Sequence, residues 1–258
     1  MYNGNCHCGA YRFEVDVDGD GLKKAVGDSS TPVAKLGALW LAVADDVFRV
    51  DKDDGKLVSY KTPSLEYQFC SECGSCVRGA FVDGPLKGSN AINIRALRSV
   101  NPFEIEQREK VESNVYPTKG KCICGAVQVE LLSPLQDMAV KEDNCSICAR
   151  NAWIGVYPSK AQVALSGTDN VQDYRFGRRF MGHPFCKTCG VHVYMNVYGP
   201  PQQVIDRLPE EKKEMIRKNL DMAPVNVRVL DGIQLDGLTV ARTDEGTDGY
   251  EKSVLGLE

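Results

Sequence analysis

Residues 122–125, Cys-Ile-Cys-Gly, and residues 186–190, Cys-Lys-Thr-Cys-Gly, form a pair of cysteine knuckles in the second half of the chain. Residues 6–9, Cys-His-Cys-Gly, and residues 70–74, Cys-Ser-Glu-Cys-Gly, repeat this pair 116 residues earlier. Further identities at the same offset are Gly4 with Gly120, Ala10 with Ala126, Glu14 with Glu130, Ser30 with Ser146 and Phe69 with Phe185. An ungapped match of this kind predicts an internal duplication.

The composition of the chain is that of a globular protein. Its 258 residues suffice for two domains of ordinary size. Apolar residues make up 43% and charged residues 26%, and the longest apolar run, about 36–44, is too short to span a bilayer. The net charge of -4 argues against a nucleic-acid surface. No secretory signal precedes the first knuckle, so we expect a cytoplasmic protein without a membrane partner.

Eleven cysteines require either disulfides or metal ligation. The odd count and the expected reducing compartment favour thiolate ligation of a metal. Four thiolates suit tetrahedral zinc and leave no open position, so such a site is structural, with iron as the alternative metal. The predicted ligands of the two structural zinc ions are Cys6, Cys8, Cys70 and Cys73 in the first half and Cys122, Cys124, Cys186 and Cys189 in the second.

Alternating apolar and polar residues predict a mainly β fold built from two tandem β-rich zinc-binding domains. We place the domains at residues 1–112 and 117–258, joined by a linker at about 112–119. An insertion at about 199–222 predicts one charged surface helix, which is either packing decoration or a lid over a pocket. The strands are predicted at 11–17, 36–43, 47–50, 56–61, 67–69, 77–82, 91–97, 126–132, 153–157, 163–165, 171–176, 191–197 and 225–230.

Three motifs in the second half resemble the glutathione-dependent formaldehyde-activating enzyme family, which includes centromere protein V. They are C-x-C-G-A at 122–126, N-C-S-I-C at 144–148 and F-C-x-x-C-G at 185–190. The resemblance implies domains of two packed antiparallel sheets, a structural four-cysteine zinc and a second zinc held by C-x-C-x-x-C. It also implies a carbon–sulfur lyase whose partner is a small-molecule thiol adduct, such as a glutathione conjugate of a small carbonyl compound.

The chain departs from the family pattern at the second zinc motif. The first domain has Gly27, Ser29 and Pro32 at the three ligand positions, so we expect it to be a degenerate copy with structural zinc alone. In the second domain Asp143 stands in place of the first cysteine. Asp143, Cys145 and Cys148 therefore either bind a third zinc with one open position, or leave the two cysteines as reduced core residues.

Several other residues are weaker candidates for a role in the site. His183 acts as a catalytic acid or base, or is a structural histidine. The remaining candidates are Arg150, Arg178 and Arg179 for ligand carboxylates, Trp153, Tyr157 and Tyr174 for a pocket wall, and Cys76 as a spare thiol. Each of these residues also has an ordinary surface or core interpretation.

Three functions remain open at this point. The first is a zinc-dependent lyase of carbon–sulfur bonds. The second is a non-catalytic zinc module that binds a small molecule or a protein. The third is an enzyme of a biosynthetic pathway that acts on a different substrate, because one fold serves many functions.

Overall fold

The structure is a computed structural model that describes residues 1–27, 33–84, 86–106 and 115–244. Within these ranges the chain is mainly β, with several mostly antiparallel sheets and few helices, which confirms the predicted fold class. None of the described helices combines the length and apolar character needed to cross a bilayer.

The described residues of the first half form nine strands in two antiparallel sheets. The strands are β1 (Tyr2–Asn5), β2 (Tyr11–Val15), β3 (Val26–Gly27), β4 (Leu39–Val43), β5 (Phe48–Asp53), β6 (Leu57–Lys61), β7 (Leu65–Cys70), β8 (Cys76–Phe81) and β9 (Asn90–Asn93). One sheet has the order β1-β2-β5 and the other the order β3-β4-β9-β8-β7-β6. The short helices are α1 (Gly19–Leu22) and α2 (Pro102–Ile105), with 3₁₀ turns at Val33–Leu36, Asp45–Val47 and Ile94–Ala96.

The second half contains ten strands in three sheets of the described residues. The strands are β10 (Lys119–Lys121), β11 (Gln128–Leu131), β12 (Val140–Asp143), β13 (Ile154–Val156), β14 (Val163–Ser166), β15 (Val171–Tyr174), β16 (Met181–Cys186), β17 (Asn196–Val197), β18 (Val225–Asn226) and β19 (Val240–Thr243). The sheet orders are β10-β11-β14, β18-β13-β12-β19 and β15-β16-β17, and β12 pairs with β19 in parallel. The helices are α3 (Ser146–Asn151), α4 (Gln202–Ile205) and α5 (Glu210–Leu220), with 3₁₀ turns at Leu135–Asp137, Lys160–Gln162, Thr168–Asn170, Val227–Val229 and Leu235–Gly237.

Most predicted strands are present, but the prediction of the last strand in each half is wrong for the second part of that strand. The strand predicted at 91–97 ends at Asn93, and the one predicted at 225–230 ends at Asn226. In both cases the asparagine side chain accepts the backbone N–H two residues later and caps a 3₁₀ turn. Asparagine competes with the sheet for backbone hydrogen bonds in this way, and alternation of residue type does not show it.

The strand predicted at 191–197 is also largely absent. Only Asn196–Val197 is a strand, while His192 and Tyr194 make isolated bridges to Phe185 and Val225. These two residues bridge to different neighbours, so no continuous ladder forms.

The charged surface helix predicted in the insertion is confirmed by α5, none of whose residues is buried. Pro209 precedes the helix, two glutamates lie in its first turn, and Arg217 and Lys218 lie in its last turn. These charges complement the helix dipole. The insertion also contains α4, which the sequence pattern did not indicate.

The two halves share a hydrophobic core. Phe69 from the first half and Phe185 from the second are 0% and 1% exposed, and their rings pack edge to face with centroids 6.3 Å apart. A Cβ atom on Gly190 would lie 2.6 Å from Phe69, and one on Gly74 would lie 2.6 Å from Phe185. The close approach of the halves therefore depends on glycine at both knuckles.

The knuckles of the two halves have matching backbone geometry. Gly74 and Gly190 have φ values of 75° and 71°. Cys6 and Cys122 donate their backbone N–H groups to the carbonyl groups of Tyr11 and Val127 at 3.1 and 2.9 Å. The division into two domains stays a prediction, because its boundary near residue 112 lies outside the described residues, as do Ser29, Ser30 and Pro32.

Candidate metal centres

The first knuckle pair brings four thiols together. Their sulfur atoms all lie within 4.8 Å of one another, and Cys8 Sγ is 3.6 Å from both Cys6 Sγ and Cys70 Sγ; the set is completed by Cys73. Such separations are far longer than the roughly 2.05 Å of a disulfide bond. They approach the roughly 3.8 Å edge of a sulfur tetrahedron around zinc with bonds of about 2.3 Å.

The second knuckle pair repeats this arrangement. Cys124 Sγ lies 3.5 Å from Cys122 Sγ and 3.4 Å from Cys186 Sγ, and Cys189 completes the set. The backbone N–H of Val127 donates to Cys122 Sγ at 3.3 Å, and Tyr11 donates to Cys6 Sγ at the same distance in the first half. Donors of this kind stabilise thiolate ligands, so both donor sets fit a closed zinc site.

A third cluster consists of Asp143, Cys145 and Cys148, whose donor atoms also lie within 4.8 Å of one another. Asp143 ends strand β12, Cys145 immediately precedes helix α3, and Cys148 lies within that helix. The Asp143 carboxylate accepts the backbone N–H of Cys145 at 2.5 Å. Hydrogen bonding with Cys148 lowers the pKa of the Cys145 thiol. One oxygen and two sulfurs are an acceptable zinc donor set that leaves a coordination position open.

The first half has no corresponding third cluster among its described residues. Gly27, which occupies the position of Asp143, lies in strand β3. It offers no side-chain ligand.

Buried arginines hold both ends of helix α3. Arg150 is 2% exposed and donates to the Ser146 carbonyl at 2.9 Å and to the Asn5 carbonyl at 3.1 Å. Arg228 donates to the carbonyl of Ala152, directly after the helix, at 2.7 Å. Arg150 is thus bonded to groups of the protein itself, whereas Arg178 and Arg179 are exposed in the loop before β16.

The sequence reasoning missed Arg95 and Arg228, which share the carboxylate of Glu106. Their guanidinium groups lie 2.7 and 3.1 Å from its oxygens, and both arginines are at most 6% exposed. Arg228 also lies 4.0 Å from Glu142, in the strand that ends in Asp143. The repeated Asn-x-Arg at 93–95 and 226–228 was the available signal.

His183 lies on β16, opposite Tyr174 of β15. It is 7% exposed, and it lines a narrow cleft together with Cys148 and Trp153. Burial lowers the pKa of His183 to about 4, an effect that Asp173 partly opposes. The imidazole is therefore neutral at pH 7.

The aromatic candidates divide between core and surface. Trp153 is 2% exposed and donates its indole N–H to Tyr157 at 3.4 Å, while Tyr157 is 37% exposed. Tyr174 contacts the first half through the hydroxyl group, which is 2.8 Å from His7 Nδ1. Cys76 is buried, and burial raises the pKa of its thiol, in agreement with a spare cysteine.

The class of protein that these features define is a mainly β, cysteine-rich protein with two four-thiol clusters, each of which could hold a zinc ion. Residues 117–208 match the model of the GFA family, which is described as glutathione-dependent formaldehyde-activating enzyme. The segment contains the second and third clusters.

The chain is also similar to one solved structure, a crystal structure of a Rhodobacter sphaeroides protein from structural genomics. The two are 29% identical over 48% of this chain and 99% of that chain, with a TM-score of 0.35. No curated protein matches the chain.

Proposed function

We propose that the chain is a zinc-dependent carbon–sulfur lyase that acts on a glutathione or other thiol adduct of a small carbonyl compound. The observation that carries the proposal is the convergence of Asp143, Cys145 and Cys148, with donor atoms within 4.8 Å, at the family's second zinc motif. We assign zinc to this cluster and to both four-cysteine clusters. The free thiols of all these clusters suit a reducing compartment such as the cytoplasm.

The reaction class is the reversible cleavage of a hydroxyalkyl thioether into a thiol and a carbonyl compound. The carbon–sulfur bond breaks, the hydroxyl group loses its proton as the carbonyl forms, and the sulfur gains a proton, so no oxidant is needed. Zinc bound at the third cluster would supply Lewis acidity toward the developing negative charge. A carboxylate in place of one thiolate donates less charge, which leaves the metal the stronger acid.

The protein contributes the fixed ligand geometry and an acid–base candidate. Asp143 fixes the turn before α3 through its bond to the Cys145 N–H. His183, neutral because of burial, is assigned as the group that accepts a proton at a ring nitrogen and returns it to sulfur. The exposed Arg178 and Arg179 are the candidates for carboxylates of a glutathione-like ligand.

We further infer that the chain arose by duplication and that the first half has lost the second metal motif. The matching φ values at Gly74 and Gly190 and the matching sulfur clusters support this inference.

Metal counting and substitution of Asp143 test the proposed function. We expect three zinc ions per chain by native mass spectrometry, and cleavage of the formaldehyde adduct of glutathione measured as released thiol. Asp143→Asn keeps an oxygen acceptor for the turn but removes the charge, so it should lose the third ion and the turnover. Two ions in the native protein, or turnover unaffected by Asp143→Asn, would refute the assignment.

A non-catalytic zinc module is the second candidate. The observation that favours it is the bond from the Cys145 N–H to Asp143, because a turn-forming role explains this aspartate without a metal. Asp143→Cys separates the two, since it restores the family's third thiolate. Retained or increased turnover supports the enzyme, and no turnover on any thiol adduct in either protein supports the module.

A further inference from the structure

Helix α3 carries Cys148 but cannot fix its own orientation. It has six residues, all of them buried, and isolated helices this short are unstable in water. Its position must therefore come from neighbouring groups. Several of these belong to the first knuckle of the other half of the chain.

His7, between Cys6 and Cys8, makes the most direct contact. Its Nε2 atom lies 3.1 Å from Ser146 Oγ, and Ser146 follows Cys145. The side chain is 0% exposed, and the ring packs 4.4 Å from that of Phe176. The hydrogen bond to Ser146 is thus shielded from water, where loss of one partner is costly.

Asn5, the residue before this knuckle, provides a second attachment. Its carbonyl accepts Arg150 Nε at 3.1 Å, and its side-chain oxygen accepts Arg150 Nη2 at 3.2 Å. The same guanidinium group reaches back to the carbonyl of Ser146. Ser146 and Arg150, which lie near the two ends of α3, are therefore both hydrogen-bonded to residues at the first knuckle.

The knuckle itself is rigidly held. The backbone N–H of His7 donates to Ser75 Oγ at 3.1 Å, and Ser75 in turn lies 3.4 Å from Cys73 Sγ. A continuous set of bonded groups consequently joins the first four-cysteine cluster to Ser146.

The contact does not have a counterpart in the opposite direction. The residue equivalent to His7 in the second knuckle is Ile123, whose side chain cannot hydrogen-bond. At this position, a side chain that can hydrogen-bond is present only in the half that lacks the third cluster among its described residues.

We propose that His7 and Asn5 are positioning residues for the third cluster: they orient α3 so that Cys145 and Cys148 meet Asp143 in a geometry that binds a metal ion. This inference rests on the proposed function in its metal site alone. It assigns to the first half a role in the site of the second half, beyond that of a supporting copy.

The experiment compares two variants. His7→Phe keeps an aromatic ring but removes the side-chain hydrogen bonds to Tyr174 and Ser146. Ser146→Ala removes only the bond between His7 and Ser146, by deleting its other partner. Ile123→Phe is the matched control, with the same change at the equivalent knuckle position. Metal affinity of the third cluster is measured by competition between a chelator and the cobalt-loaded protein. The cobalt absorption spectrum reports the ligand geometry, and the alkylation rate of Cys145 is measured in protein carrying two zinc ions.

We expect His7→Phe and Ser146→Ala each to weaken the third site about tenfold or more, because loss of an outer hydrogen-bond partner typically costs 10–100-fold in metal affinity. The cobalt spectrum should shift and the alkylation of Cys145 should become faster. The double variant should match His7→Phe alone, since the bond that Ser146→Ala removes is already lost in His7→Phe. Ile123→Phe should leave all three measurements unchanged.

Unchanged affinity, spectrum and alkylation in both variants would overturn the inference. A native protein that binds only two ions would instead overturn the proposed function. The alkylation rate then decides the positioning role by itself: a faster rate in both variants supports it, and an unchanged rate refutes it.

Discussion

Gly190→Ala tests the close packing of the two halves. Gly190 has φ of 71°, a conformation in which alanine is strained by about 1 kcal/mol. The new Cβ would lie 2.6 Å from Cγ of the fully buried Phe69, and forced repacking of a core costs about 1–3 kcal/mol. We therefore expect a loss of about 2–4 kcal/mol in the free energy of unfolding.

The assay is thermal unfolding of the zinc-saturated protein, in which each kcal/mol shifts the midpoint by about 2–4 °C at this chain length. Gly125→Ala is the matched control. Gly125 is the last residue of its knuckle and has a φ of 80°, but no atom lies within 4 Å of a Cβ added to it. The control should lose only the strain energy of about 1 kcal/mol. Phe69→Leu should partly rescue Gly190→Ala by making room.

Equal midpoint shifts for Gly190→Ala and Gly125→Ala would refute the packing argument. That result would mean that the halves separate at little cost, and that the ring of Phe69 does not fix the position of the second knuckle.

Three further results are expected. Burial lowers the pKa of His183 from 6.5 to about 4, so protonation favours the unfolded chain. The contribution of the neutral His183 to the free energy of unfolding is therefore fully present above pH 6.5, and up to about 3 kcal/mol is lost as the pH falls through 4. Urea titrations at several pH values should show that the free energy of unfolding depends less steeply on pH in His183→Gln than in the native protein. The same pH dependence in both proteins would contradict this role of His183. Chelation of the structural metal should abolish the far-ultraviolet β signal, because such a site supplies on the order of 10 kcal/mol; a persistent signal would count against this role. Deletion of residues 203–220 should change stability by less than about 1 kcal/mol, because α5 buries no residue, and an unchanged KM would exclude a lid.

The metal clusters could be predicted from sequence because their chemistry is local. Each knuckle places two sulfurs within a few residues, and a glycine at positive φ follows each pair, as at Gly125 and Gly190. The third cluster could be proposed in the same way, since Asp143, Cys145 and Cys148 lie on one turn of chain. Ligands with such short spacing are close together in space whatever the rest of the fold does.

The supports of the site could not be predicted, because they join residues far apart in sequence. Arg95 and Arg228 look like exposed positions of alternating strands, yet both are buried against Glu106. His7 stands between two knuckle cysteines at a position whose residue type the ligand spacing does not specify, and its bond to Ser146 exists only after the two halves pack. The local pattern of apolar and polar residues does not indicate such tertiary partners.

Strand β12 has a further consequence for how the protein is made. It ends in Asp143 and pairs on one side with β13 and on the other with β19, where Asp143 is opposite Thr243. A ribosome delivers β13 soon after β12 but releases β19 about a hundred residues later. Nascent chains therefore pass through a period in which one edge of this strand is unpaired, and the strand that ends in Asp143 gains its second neighbour only after β19 has left the ribosome.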